Sequence, residues 1–423
     1  MSSKESNRRQ FLKNGVALAG LAVGAAGSAS GALEAPQGRH KLLVPYGDRS
    51  HFDETARIIE REDKEMYGGT TPSLESPIQD LVGIITPGPL HYVNNHGYAP
   101  PEIDPEKHRV MIHGMVDRPL VYTLEELRRL PSATRVHFLE CGGNTNPLLM
   151  HDAPTVQKTH GMTSCSEWTG VLMSVLLGEA GVQKGASWVV VEAADRVYVK
   201  SIPMEKAMDD VLLAYAQNGE PVRPENGYPL KCVVPGWEGM ANVKYVRRIK
   251  VVDGPYMDRF ETTVQPSPRP DGKARWFQYE QGPISVVTRP NGSHQIPSPG
   301  FYEITGLAWS GAGSIRRVEV STDGGQTYKD AELQTPVHRK AHVRFHYKWN
   351  WNGEEALLQS RCTDDAGQVQ PTMAEVAKVW GVDIEYFRTR TKGESNSAGH
   401  HFNAIWPWKV LRDGTVKNAL YNS

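Results

Sequence analysis

Residues 136–144 constrain this chain more than any other stretch. Val136 to Glu140 carries β-branched, aromatic and aliphatic residues at the spacing of a buried strand, and Cys141 stands where that strand runs into a Gly142–Gly143 turn. A thiol is thereby delivered to the rim of a sheet. The two glycines let the backbone approach a large ligand without an intervening side chain, and Asn144 offers an amide to hold it. A lone cysteine also packs well as a small hydrophobe, so these residues alone leave both readings open.

The 423-residue length accommodates about two or three domains, and 40 Gly with 29 Pro favour β-rich or mixed architecture over helical bundles. A net charge of −1 provides no polyanion-binding surface, which argues against nucleic acid as a partner. The four cysteines, Cys141, Cys165, Cys232 and Cys362, have no zinc-ligand spacing, and without a CxxCH this chain is expected to carry no c-type haem. Asn7-Arg8-Arg9-Gln10-Phe11-Leu12-Lys13, followed by a weakly apolar run from Val16 to Gly31, resembles a twin-arginine export signal. That run is too short and glycine-rich to span a bilayer, so the expectation is a signal peptide over 1–35, a periplasmic product and no membrane span in the mature chain.

Patterning predicts an amphipathic helix over Phe52 to Lys64, a strand over Arg109 to Val116, and a helix opened by the capping box Thr123 to Glu126. A second helix is predicted from Glu167 through Ala180, capped by Gly181, then strands over Ser187 to Glu192 and Val211 to Ala216. Prolines between Pro266 and Pro270 mark a linker. From Gly282 the chain becomes short strands broken by Gly, Asp, Asn and Pro turns, the pattern of an antiparallel sandwich of about a hundred residues.

Several of these segments, taken in order, resemble the sulfite oxidase family of molybdopterin enzymes. They are residues 134–144, Leu90 to His96, Asn226 to Lys231, Pro235 to Tyr245, Gly306 to Gly313 and Val320 to Gly325. The resemblance implies an α+β fold, with a mixed α/β molybdopterin-binding catalytic domain over 36–255 and a linker over 256–282. An immunoglobulin-like dimerisation domain over 283–385 and a C-terminal tail over 386–423 would follow. It implies a molybdenum–molybdopterin cofactor with Cys141 as the metal's thiolate, a soft ligand suited to a high-valent metal that moves oxygen atoms and electrons. Further cofactor contacts would come from His96, Gly143, Asn144, Asp195, Asn226, Lys231, Asn242 and Lys244. Lys231 and Lys244 in particular supply fixed charge for a pterin phosphate. Asn94 and Arg339 join Cys141 as expected catalytic residues. The adjacent His400 and His401 are read as tail residues rather than a metal pair.

The departures from the family pattern bear on substrate. Asn94 stands where the family has a substrate-binding arginine, Asn146 is neutral where a second arginine is common, and Phe260 falls near the family's tyrosine, for which Tyr256 is a substitute. A small dianion buried without cations would cost several kcal/mol. A less charged sulfur, delivered on a carrier protein's cysteine, fits better. Within the family this profile is similar to the molybdenum subunit of the Sox-system sulfane dehydrogenase. It implies a c-type cytochrome subunit as electron acceptor, a sulfur-carrier protein, a homodimer through the second domain and a heterotetramer with the cytochrome. The tail, with Trp406 and Trp408, is read as lying beyond the sandwich as a partner-binding arm. Two rivals are a dehydrogenase for free sulfite, drawing cations from Lys158, Lys200 and Arg339, and a cofactor-free exported binding protein.

Overall fold

The computed structural model describes residues 50, 52–61, 72–95, 98–146, 152–195, 197–263, 266–268, 271–275, 279–389 and 401–421. The expected signal peptide lies outside them. The chain divides after Glu54, and the unit from Thr55 onward holds every element below.

The strand Ser132–Glu140 is antiparallel to Thr163–Leu172 along its whole length, with Phe138 opposite Cys165 and Glu140 opposite Thr163. Leu212–Gln217 extends that sheet, and Lys231–Val233 pairs with it in turn. A second sheet runs in the order Leu120–Thr123, Arg109–Gly114, Val246–Val252, Trp188–Ala193, Val199–Pro203. Its Arg109–Gly114 and Val246–Val252 strands are parallel, and the other pairs are antiparallel. Val110, Val189, Leu213 and Ile249 from both sheets join Leu176 of the helix Met173–Ala180 in one apolar cluster.

Local chemistry sets the helix ends. Thr123 and Glu126 cap each other at the start of Leu124–Arg129, with acids in its first turn and arginines in its last, which complements the helix dipole. Gly181, at φ 72°, closes Met173–Ala180 through bonds to Leu177 O and Gly178 O. The helix predicted from Glu167 begins only at Met173. Trp168 and Val171 are fully buried in a strand with neighbours on both edges, and that pairing outweighs local helical spacing. The helix predicted from Phe52 is likewise absent among the described residues. Ile58–Arg61 is a strand against Ser73–Glu75.

The second half is the expected sandwich. One sheet contains Ile284–Arg289, Gly300–Trp309 and Val343–Trp351, and the other contains Ile315–Ser321 and Ala356–Asp364. The fold is therefore α+β, with a mixed catalytic half followed by a β-sandwich. The tail does not lie beyond it. Trp408–Val410 pairs with Ala356–Asp364, and Val416–Asn418 pairs with Trp408–Val410, so the tail completes a sheet and buries Trp406 and Trp408. Apolar side chains that cannot stay in water supply the reason. Part of the expected linker is docked too, since Phe260 is buried and stacks on Tyr198 at 4.8 Å.

The two halves share one core. Ile78, Phe138, Val156 and Cys165 of the first belong to the same apolar cluster as Trp309, Val343 and Phe345 of the second. Polar links cross the same boundary: Phe138 N donates to Lys340 O at 3.0 Å, and Lys340 Nζ lies 2.6 Å from Asp210 Oδ2. A shared core predicts one cooperative unfolding transition for both halves. Phe138→Ala should lower unfolding free energy by about 3–5 kcal/mol in denaturant titrations. Two well-separated transitions in the wild-type chain would contradict the shared core.

Candidate active site

Where the strand Ser132–Glu140 ends, hydrogen bonds shape the turn that carries Cys141. Cys141 N donates to Met162 O at 3.0 Å, and Asn144 N closes the turn on Cys141 O at 2.9 Å. The thiol is partly exposed, and none of the four cysteines forms a disulfide among the described residues. The other three are buried, and burial pushes the thiols of Cys165 and Cys232 up to about 12 and raises that of Cys362 as well, which leaves them inert at neutral pH.

Cys141 lines a cavity that is open to solvent. Gly239 makes the approach possible. A Cβ there would fall 2.8 Å from Glu140 O, 2.9 Å from the Tyr92 hydroxyl and 3.2 Å from Cys141 Cα, so a side chain would displace the turn. Asn94 places its Nδ2 at 3.7 Å from Cys141 Sγ. Asp195, Asn226, Lys231, Asn242 and Lys244 line the same cavity, so the fold gathers most of the residues expected from sequence.

Their roles differ in detail. Lys231 is buried, donates to Asn226 O at 3.1 Å and lies over the Trp168 ring at 5.6 Å. Burial, reinforced by the Lys244 charge, holds its ammonium well below the usual lysine range. Lys244 bonds Asn94 O at 3.2 Å, Glu225 O at 2.7 Å and Asn95 Oδ1, which uses its three protons, and burial brings it to about 8. It therefore acts on a ligand as a fixed charge, while Lys231 keeps protons to offer. Asn242 is spent on its own loop, accepting from Val234 N at 2.7 Å and donating to Glu238 O at 3.1 Å. Asn226 donates its Nδ2 to Gln217 Oε1 at 3.1 Å, and its backbone carbonyl accepts from Lys231. Burial raises the Asp195 carboxyl, which accepts from Val197 N at 3.0 Å.

Other expected contacts are placed elsewhere. Asn144 does not reach into the cavity. Its Nδ2 donates to Glu140 Oε1 at 2.9 Å and its Oδ1 accepts from Met162 N at 3.1 Å, because a buried amide satisfies itself within the turn. Gly143 stands beside the sulfur rather than lining the cavity, and a Cβ there would lie 3.9 Å from Sγ. Arg339 is exposed and bonds Ala312 O at 3.2 Å, so its charge is not delivered to the cavity. Its neighbour Lys340 is the one that turns inward, to Asp210. Tyr256 is exposed and pairs with Lys250, away from the cavity, and His96 lies outside the described residues.

Sequence reading overlooked His91 and Tyr92. His91 is buried in the cavity wall, and desolvation lowers its pKa to about 3. Its Nδ1 lies 2.8 Å from Tyr92 O, and a carbonyl only accepts, so Nδ1 carries the proton and Nε2 is an acceptor without a partner among the described residues. Tyr92 also lines the cavity, with its phenol held protonated by burial and the Cys141 charge. Both lie within Leu90 to His96. A single histidine or tyrosine carries no periodic signal that could have marked it.

Among the described residues no group of three or more His, Cys, Asp and Glu could hold a metal ion. A single thiol facing a cavity with two lysines and an orphaned imidazole acceptor instead suits a metal arriving already chelated by an anionic organic cofactor.

The oxidoreductase molybdopterin-binding domain matches residues 96–260, and the Mo-co oxidoreductase dimerisation domain matches residues 277–393. The sulfane dehydrogenase SoxCD from Paracoccus pantotrophus is similar in structure, with a TM-score of 0.79 and 37% identity over 90% of this chain and 95% of that one. The chain belongs to the sulfite oxidase family. NADH nitrate reductase 2 from Phaseolus vulgaris is 34% identical over 317 residues, covering 66% of this chain and 35% of that protein. NADH nitrate reductase 1 from Arabidopsis thaliana is 33% identical, covering 66% and 34%. The chain thus spans about a third of the length of the curated relatives it matches. Family membership makes it a molybdopterin-dependent oxidoreductase, which removes the cofactor-free binding protein as a reading.

If Lys231 offers its protons to the cofactor's anionic group, Lys231→Met should lower molybdenum per purified chain by at least about tenfold, while Lys231→Arg retains most of it. Metal analysis alongside a folding control distinguishes cofactor loss from misfolding.

Proposed function

We propose that this chain is the molybdenum subunit of a sulfane dehydrogenase, oxidising a sulfane sulfur carried on the cysteine of a carrier protein. The observation that carries the reading is the neutral amide that faces the thiol. Asn94, an amide, faces Cys141 Sγ, and the cations a sulfite site would need are engaged elsewhere. Lys158 bonds Ile59 O at 2.6 Å, Lys200 lies 3.7 Å from Glu261, and Arg339 bonds Ala312 O. Among the described residues lining the cavity, the lysines are Lys231 and Lys244, both on the loops assigned to the cofactor. The structural similarity to SoxCD supports the same reading.

When bound, the molybdenum cofactor would supply two-electron oxidation coupled to transfer of a water-derived oxygen atom. The chain's own residues do the placing. Cys141 presents its sulfur from a turn locked on Met162, and Lys231 and Lys244 compensate anionic charge. His91 Nε2 offers an acceptor to a bound group, and the Tyr92 hydroxyl holds a proton at the cavity wall beside Cys141. Asn94 orients a substrate sulfur without demanding negative charge from it. Electrons would pass to a c-type cytochrome subunit, the chain would dimerise through its second domain and assemble as a heterotetramer, and export by the twin-arginine route would place it in the periplasm.

Turnover of carrier-bound sulfane, followed by cytochrome c reduction, should exceed that of free sulfite by at least about a hundredfold in kcat/KM. A preference for sulfite would reverse the assignment. Asn94→Arg should improve the KM for sulfite by about tenfold or more, as an added cation meets the anion. Cys141→Ser should abolish turnover with the sandwich still folded; near-normal activity in that variant would refute the ligand role.

A further inference from the structure

Trp309 belongs to the sandwich, at the end of the strand Gly300–Trp309, yet its indole reaches the turn that carries the thiol. Its Nε1–H donates to Glu140 Oε2 at 2.8 Å, on the residue immediately before Cys141. The other carboxylate oxygen accepts from Asn144 Nδ2 at 2.9 Å. Asn144 in turn holds Met162 N at 3.1 Å through Oδ1 and Cys141 O at 2.9 Å through its backbone N–H, and Met162 O holds Cys141 N at 3.0 Å. These bonds form a closed circuit around the Cys141 backbone, and Trp309 ties it to the second domain.

Trp309 is itself firmly held. It is fully buried, with its ring 6.3 Å from Phe138 and 4.9 Å from His342. His342 Nε2 lies 3.0 Å from Thr163 Oγ1, on the strand opposite the turn. Glu140 is 1% exposed, so water cannot replace a lost donor, and a carboxylate left short of one must turn toward another. Asn144 would turn with it and loosen the circuit.

We propose that Trp309 is a positioning residue for the Cys141 sulfur, so that the dimerisation domain sets the geometry of the metal's protein ligand through Glu140. The inference rests on Cys141 ligating the metal, as proposed above.

Trp309→Phe keeps an aromatic ring and removes the N–H. In the molybdenum-loaded enzyme it should shift the electron paramagnetic resonance signature of the one-electron-reduced centre and the thiolate charge-transfer absorption. It should also lower kcat per molybdenum by at least about tenfold, since small misplacements of reacting groups are costly. Trp351→Phe removes another buried indole N–H of the sandwich, bonded to Glu354 O at 2.7 Å, and should leave spectra and kcat unchanged. In the double variant Trp309→Phe/Glu140→Gln, the amide oxygen can keep the Asn144 bond while its NH2 no longer opposes a donor. Its spectrum should return toward wild type, a coupling that packing alone would not produce. If Trp309→Phe does not fold, Glu140→Gln alone serves, because its NH2 then faces either Trp309 or Asn144 and should itself shift the spectrum. Unchanged spectra and kcat per molybdenum in Trp309→Phe, or in Glu140→Gln where that single variant serves, would overturn this inference alone. Absence of molybdenum from the wild-type chain would overturn the proposed function and this inference with it.

Discussion

Phe138 lies fully buried between the strand that ends at Cys141 and the Trp309 and His342 rings of the sandwich, 6.3 and 6.1 Å away. Much of the site depends on that contact. A side chain this large removed from water stabilises the pairing of the two halves by about 1.5–3 kcal/mol. The same packing brings Lys340, His342 and Trp309 onto the strands that flank the thiol, where each adds a polar link that only a close approach allows. The turn that carries the thiol is therefore a feature of two domains rather than one.

The cavity separates its charges by task. Its lysines sit on the Asn226–Lys231 and Asn242–Lys244 loops, and an uncharged side chain, Asn94, faces the Cys141 sulfur. Beneath the thiol two carboxyls, Glu140 and Glu238, are buried and raised to about 7, the first against the pull of its Asn144 and Trp309 donors, the second against the charge of Lys200. Removing water strengthens every remaining electrostatic contact. A pocket of this kind discriminates by charge as much as by shape.

Local signals in the chain were legible wherever neighbouring residues decide the structure. The capping box at Thr123 and Glu126, the Gly181 stop and the strands Trp188–Ala193 and Leu212–Gln217 all lie at or within a residue of their expected positions. Glu167 to Leu172 misled because its strand state depends on partners at Ser132–Val136 and Leu212–Gln217 that no local window contains. The tail misled for the same reason, since the sheet that receives Trp408 is formed by residues some fifty positions earlier. In the site, Cys141, Asn94 and the two lysines could be read from their motifs. His91 and Tyr92 could not, because what marks them is burial and, for His91, an acceptor without a partner among the described residues.

The sequence by itself determined the chemical inventory: a thiol after a strand, glycines that admit a ligand, lysines on two loops, and neutral residues where cations were expected. Side-chain identity is enough for that, because charge, softness and backbone freedom belong to the residue. Tertiary structure alone decided which of these atoms stay available. Asn144 and Asn242 are consumed by their own loops, Lys244 by three oxygens, and Arg339 points away, while His91 is left with a free acceptor. Hydrogen-bond partners are drawn from wherever the chain packs, and that packing is a property of the whole fold.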